Sequence, residues 1–492
     1  MLSTENYVAP PNGFRTFVIV WITQAISAFG SQLTFFAITI WLSQTLYPRP
    51  EQKPQLAFAL TAISLLFGLT VLLAPVAGAW ADRHDRKLTM IVMDFGSGIV
   101  SLALMLLLFA DALQLWMVLL ATPVIAILGQ FHNFAFDTST AMIVPEKQLP
   151  RANGMMQTLW AVSGILSPAI AATIISLPDL ARQGLIPAGV GEALKGIKDG
   201  TALAVGIDAV TFFIAAATLI FLFIPSPKRA DVGKGATAPK KSMWVDIKYG
   251  WRYILKRPPL LWLLATFTVI NFASAPLEVF IPLLLKFNLS GDWQPKGFTF
   301  SSAMALVSSF AGLGGVIGGV VMSAWGGLKG KRIYGVIVPI MIVGVLEIAY
   351  GFSPFIYLTA AINFLIVGAI PIMNSHSQTI WQTQVPRELQ GRVFSVRRMI
   401  AQFSAPIGVG LAGLTGAAIN PGWVLAVLGA LTVAFCIAQL FNTRLLRVED
   451  KAYLDSLDPT GLPLNSATSE PPVGDISLGS PTGVPAMPTP SD

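Results

Sequence analysis

Four carboxylates stand inside long apolar runs of this chain: Asp94, Asp208, Glu278 and Glu347. A charge in such surroundings is costly, so each acid must be paired, protonated or put to use. The chemistry open to them is binding and releasing protons or attracting cations. Glu278 lies between Pro276 and Pro282 and is the first choice as a proton carrier. Asp208, like Glu278, falls in the outer third of its run and either titrates, attracts a cationic ligand or bonds a neighbouring helix. Asp94 follows Lys87 by seven residues, about 10 Å along a helix, and is expected to pair with basic residues near the inner surface. Asp137 and His376 stand near the ends of two other runs, and Arg397 and Arg398 near the start of a third. Covalent catalysis has no visible constellation. There is no HExxH, GxSxG or CxxC, and the histidines are only His84, His132 and His376. The single cysteine, Cys436, excludes a disulfide framework and a cysteine-rich metal site. Neither an enzyme nor a metal centre is expected.

A second cluster is "GAWADRHDRK", Gly78–Lys87, the densest charge in the chain and set between two apolar runs. Gly78 lets a helix end come close to a neighbour. Asp82 sits where unpaired amides and the helix dipole favour an anion. Arg83, Arg86 and Lys87 hold the turn on the inner side. Polar residues on the apolar runs are candidates for lining a cavity: Gln24 and Gln32 with Phe35, Asn133 and Asn271, and also Asn363 and Asn374. The same amides serve equally as hydrogen-bond links between helices.

The elements that hold these residues follow from composition. The chain of 492 residues is 54% hydrophobic and 12% charged, about half the charge of a soluble domain. A membrane-crossing helix needs about 20 apolar residues. Twelve such runs are present: 14–42, 55–81, 88–110, 113–136, 153–178 and 201–224, then 260–285, 298–326, 333–352, 354–375, 393–419 and 422–441. The polar N-terminus shows no removable signal segment. With both termini inside, 25 of the 32 Lys and Arg residues fall on the inner side, as the positive-inside rule requires. That distribution accounts for the net charge of +7 without a nucleic-acid partner. The expected divisions are an N-terminal six-helix half (1–225), a linker (226–259), a C-terminal six-helix half (260–445) and a disordered cytoplasmic tail (446–492) rich in Pro, Ser, Thr and Gly. In the linker, Trp244, Ile247, Trp251 and Ile254 recur at helical spacing, which predicts a helix lying in the membrane interface.

The two halves repeat each other. "SAWGGLKGKR" after the eighth run matches "GAWADRHDRK" after the second, and "VPRELQGRVFS" from Val385 matches "VPEKQLPRANG" from Val144. The glycine string "GLGGVIGG" is not in a nucleotide-loop context. Instead, Gly314/Gly318 and Gly315/Gly319 predict close helix packing. With these motifs the chain resembles the major facilitator superfamily over roughly residues 14–445, and within it the branch of macrolide-efflux proteins and the enterobactin exporter. The resemblance implies an all-α membrane protein with two pseudo-symmetric six-helix halves. It implies alternating-access export of an amphiphilic drug or siderophore, driven by a proton gradient with no cofactor, by a monomer in the bacterial inner membrane. A facilitator or importer of another solute, such as a lysophospholipid, and a non-transporting membrane sensor are the alternatives. The resemblance also places the end of the second span against the eleventh, so that Asp82 meets the helix start after Arg392 as an inner gate. Span four lacks the arginine before Gly129–Gln130 that many proton antiporters of the superfamily carry, and the Gly-Pro signature of span five is partial.

Overall fold

The computed structural model describes residues 10, 12–81, 84–145, 148–224 and 243–457. Among these, twelve helical spans are long and apolar enough to cross a membrane. They are Gly13–Leu46, Pro50–Leu73, Arg86–Phe109, Leu115–Thr140, Val162–Arg182 and Thr201–Phe221, then Pro258–Asn288, Phe300–Trp325, Tyr334–Gly351, Ile356–Gln384, Val393–Gly416 and Pro421–Leu440. They are numbered one to twelve below. With an even number of crossings, the start of span one and the end of span twelve lie on one face, called here the terminal face; the other is the opposite face.

The repeat read from the loops is a repeat of packing. Span three packs on span six as nine does on twelve, span two on four as eight does on ten, and span one on five as seven does on eleven. Spans one and seven both end at the opposite face in a π-helical turn, Leu42–Leu46 and Leu284–Asn288. Lipid offers no hydrophobic gain for helix association, so backbone proximity matters. A Cβ on Gly314 or Gly318 would fall 2.0 Å from the carbonyl oxygen of Phe364 or Gly368, so spans eight and ten touch backbone to backbone there. Among the described residues Gly315 meets a Val367 side chain and Gly319 meets nothing, so the backbone contact described between spans eight and ten rests on the Gly314/Gly318 pair.

The halves join along two seams, two against eleven and five against eight, which exchange under the pseudo-two-fold. A Cβ on Gly312 would lie 2.7 Å from the Gly164 backbone, and Ser309 Oγ donates to the Ile165 carbonyl at 2.8 Å. On the opposite face the Lys286 ammonium of span seven donates to the carbonyls of Ser43 and Tyr47, at and just beyond the end of span one. Lys53 Nζ reaches the Ile419 carbonyl at 3.4 Å. Beside this closure, Asp292 accepts from the Ile356 amide at 2.8 Å and from Lys296, capping the start of span ten. The Lys296 ammonium and that amide hold its carboxyl below the usual carboxylate range.

Two boundaries differ from the sequence reading. The linker helix Met243–Leu255 packs on spans seven and eleven. Ile254 and Tyr253 are buried while Trp251 is exposed, so part of its apolar stripe is spent on protein instead of lipid. Residues 225–242 and the side chains of 243–247, Trp244 and Ile247 among them, lie outside the described residues. The C-terminal segment does not turn loose at 446. Val448 and Leu454 are buried, Glu449 pairs with Arg332 at 3.4 Å, and helix continues to Leu457. The tail from 458 on lies outside the described residues. Truncation after Leu457 should leave insertion and thermal unfolding unchanged. Truncation before Val448, which strips two buried side chains and the Glu449 contacts, should lower the unfolding midpoint by several degrees. Equal midpoints for the two truncations would show that the packed segment adds nothing.

Candidate functional site

Span seven is not a continuous helix. Its first part, Pro258–Ser274, ends before Pro276, whose ring cannot continue the hydrogen-bond ladder. The chain restarts as Leu277–Leu283 with Glu278 in the first turn. The restart places Glu278 in a pocket of about 170 Å³ between the halves, with Phe35 and Ile38 of span one, Ser64 of span two, and Met304 and Ser308 of span eight. Ser64 Oγ donates to Glu278 Oε1 at 3.1 Å. The carboxylate of one half is thus held by a hydroxyl of the other, in walls that are mostly apolar.

The other three acids do different work. Asp208 is buried and accepts from Ser31 at 3.2 Å, Thr34 at 2.8 Å and Ser101 at 2.9 Å, which fastens span six to spans one and three. Of the three roles open to it, helix bonding is the one its contacts fit. Spacing predicts that Asp94 pairs with basic residues near the inner surface; the described ones of the inner turn, Arg86 and Lys87, bond carbonyls instead. Asp94 meets His132 Nδ1 at 2.9 Å and accepts from Gln24 Nε2 at 3.1 Å. Gln24 is therefore a link from span one to span three, and it lines neither cavity described here. Glu347 is fully buried in span nine. Ser274 donates to its Oε1, and its Oε2 has no partner among the described residues. Gln32 and Asn133 are exposed and line neither cavity described here.

A second cavity, about 350 Å³, lies within the C-terminal half. Span seven contributes Asn271 and Ser274, span ten Asn374 and Gln378, and span eleven Arg397, Arg398 and Gln402. Asn271 also donates to the Ala401 carbonyl at 3.0 Å.

The family model of the Major Facilitator Superfamily matches residues 20–409. The chain belongs to that superfamily. Macrolide efflux protein A of Streptococcus pyogenes is 26% identical over 428 residues, 86% of this chain and 94% of that protein. The Enterococcus faecalis protein of the same name is 26% identical over 68% of this chain and 94% of its own length. Among solved structures, a bacterial homolog of the human lysosomal transporter Spinster, in an inward-facing and unoccupied conformation, aligns with TM-score 0.61 at 16% identity, covering 92% of this chain and 96% of that one. That likeness establishes the fold.

In this transporter the loop after span two is held differently from its sequence reading. Arg86 is buried instead of lying at the surface. Its guanidinium donates to the carbonyls of Ala81 at 3.3 Å and Thr138 at 3.2 Å, binding the turn to the terminal end of span four. Lys87 donates to the Ile220 carbonyl at 2.9 Å, near the end of span six, where unpaired carbonyls favour a cation. Asp85 caps span three through the Leu88 amide at 2.8 Å. Among the described residues, a Cβ on Gly78 would meet the Phe134 ring of the same half at 3.7 Å. Asp82, Arg83 and the side chain of Arg392 lie outside the described residues. In the second half, buried His376 takes the place of these charges. Its Nε2 accepts from the Leu328 amide at 2.9 Å, and its ring packs on Gly327 and Gly335.

Sequence reasoning missed the hydroxyls around Asp208, Ser64 as the partner of Glu278, and the Lys286 tie. Asp208→Asn keeps an oxygen acceptor and should fold and transport. Asp208→Ala strands three hydroxyls and removes the link among three spans. A buried group left unsatisfied costs about 1–3 kcal/mol, so its unfolding midpoint in detergent should fall clearly. A stable Asp208→Ala variant that fails only in transport would instead make Asp208 part of the coupling machinery.

Proposed function

We propose that this transporter exports amphiphilic small molecules, of the kind represented by a macrolide or a catecholate siderophore, in exchange for protons. The carrying observation is Glu278. It is a single carboxylate in a mostly apolar pocket shared by both halves, where one proton can be felt by the contact between them. An apolar body fits the Phe35 and Met304 walls, and a polar group fits Glu278 and Ser64. The closed opposite face supports loading from the terminal side. The excess of Lys and Arg there supports placing that side in the cytoplasm of a bacterial plasma membrane, with one chain as the working unit. The names of the macrolide-efflux relatives support outward transport.

Everted membrane vesicles test the reading. A labelled macrolide and a labelled catecholate siderophore are offered separately, with and without an acid-inside gradient. Uptake of either that requires the gradient and collapses with a protonophore is the expected result. Uptake of neither, or uptake indifferent to the gradient, overturns it.

A further inference from the structure

The cavity within the C-terminal half has a chemistry opposite to that of the Glu278 pocket. Arg397 and Arg398 project from span eleven, four and five residues past its start at Val393, about 6–8 Å along its axis. Both line the cavity, with the amides of Asn271, Asn374, Gln378 and Gln402 around them.

Among the described residues, the groups that hold Arg397 in place are neutral. It donates to Gln378 Oε1 at 2.8 Å and to Ser377 Oγ at 3.2 Å, and its guanidinium lies 5.1 Å from the Trp381 ring centroid. Arg398 is exposed to the cavity. No described carboxylate comes within ion-pair distance of either guanidinium. Asp137 of span four, on the other half, feels Arg398 only at longer range. Glu347 sits behind Ser274 and outside the lining. Two adjacent like charges repel each other, and a cation inside a membrane protein is normally matched by a partner. A planar guanidinium pair with amide donors beside it is the geometry that recognises a carboxylate or phosphate through paired N–H···O bonds.

We infer that this cavity binds the anionic head group of an amphiphile, a carboxylate or a phosphate ester, between Arg397 and Arg398. The apolar side chains of Phe267, Ile270, Ile366 and Met373 in the same cavity accept the start of its hydrocarbon part. That the bound amphiphile is also carried outward rests on the export reading above; the binding itself is measured without transport.

Purified full-length protein in nonionic detergent is dialysed to equilibrium against labelled decanoate, decyl phosphate or decyltrimethylammonium. The three probes share a chain length and differ in the head. The two anions should bind saturably and at least about tenfold more tightly than the cation, the equivalent of about 1.4 kcal/mol. Arg398→Gln should weaken the anions about tenfold and leave the cation unchanged, with Arg398→Lys recovering part of the loss. Arg398 makes no hydrogen bond to protein among the described residues, so this variant is expected to fold. Arg397→Gln, which also releases span ten, is the second variant and is read only where its unfolding midpoint matches wild type. Equal affinity for decanoate and decyl phosphate assigns a carboxylate-type ligand; clearly tighter decyl phosphate assigns a phosphate ester. Cation binding as tight as anion binding, or unchanged anion affinity in a well-folded Arg398→Gln protein, overturns the inference. Anion-selective binding in a protein that exports neither substrate in vesicles would sink the export reading and leave this site standing.

Discussion

Lys286→Met should open the opposite face. The Lys286 ammonium is the polar tie across the ends of spans one and seven, and it takes the carbonyls of Ser43 and Tyr47 together. Carbonyls at a helix end have no partner within the helix and favour a cation. Hydrogen bonds from a charged donor are worth about 1.5–3 kcal/mol each. Losing even one such bond shifts a two-state balance by about tenfold or more, provided the bonds exist only in the closed form. The Lys53–Ile419 contact is longer and exposed, so it offers little reserve. The methionine keeps the apolar stem and removes the charge. Ser308, in the pocket wall, is the reporter. In a Cys436→Ala background, a cysteine at Ser308 should react with a membrane-impermeant maleimide applied from the opposite face about ten times faster once Lys286 is replaced. Lys286→Arg should stay close to wild type, because a guanidinium can serve the same two carbonyls. An unchanged labelling rate in Lys286→Met would mean that the seams alone close this face.

The twelve spans were legible because a span demands little of its sequence beyond length and apolarity. The two halves were legible because matched turns recur at matched places. The partners of the polar residues were not. Gln24 and Asp94 are 70 residues apart and Asp208 and Ser31 are 177 apart, and a helical wheel shows which residues share a face without showing what that face meets. Serine and threonine add to the difficulty. A hydroxyl in a helix can bond its own carbonyl four residues back, as Thr39 and Ser43 do, so Ser31, Thr34 and Ser101 carry no mark of their role. Counting positive charges also treats all bases near a span end alike. It assigned Arg86, Lys286, Arg397 and Arg398 to one side or the other, yet missed that Arg86 is buried on carbonyls, that Lys286 closes a face and that the last two line a cavity. The packed segment up to Leu457 escaped notice because Val448 and Leu454 are isolated in a polar stretch, and the groups that hold it, such as Arg332 and Gln384 on Glu449, are far away in sequence.

Glu278→Gln should separate proton coupling from substrate movement. The amide keeps the size of the side chain and an oxygen that can still accept from Ser64, now at 3.1 Å, so the pocket and the contact between halves persist. What it loses is the ability to change charge. In an exchanger, a carboxylate at this position alternates between a protonated state and a state free for substrate, and the return of the empty carrier depends on the proton. A variant fixed in the neutral state can still alternate with substrate bound on both sides. Gradient-driven accumulation in everted vesicles should therefore fall to the level of vesicles without the protein. Exchange of labelled for unlabelled substrate, with no gradient, should remain within about twofold of wild type, a change of under 1 kcal/mol. Glu278→Asp should be intermediate, because the shorter side chain titrates but draws back from Ser64. Ser64→Ala should weaken transport modestly without abolishing coupling, since it removes one neutral hydrogen bond worth about 0.5–1.5 kcal/mol. Asp208→Asn should behave as wild type in both assays, because its neighbours need only an acceptor oxygen. If Glu278→Gln still accumulates substrate against a gradient, the proton is carried elsewhere. Fully buried Glu347, bonded by a serine that lines the second cavity, is then the acid to replace next.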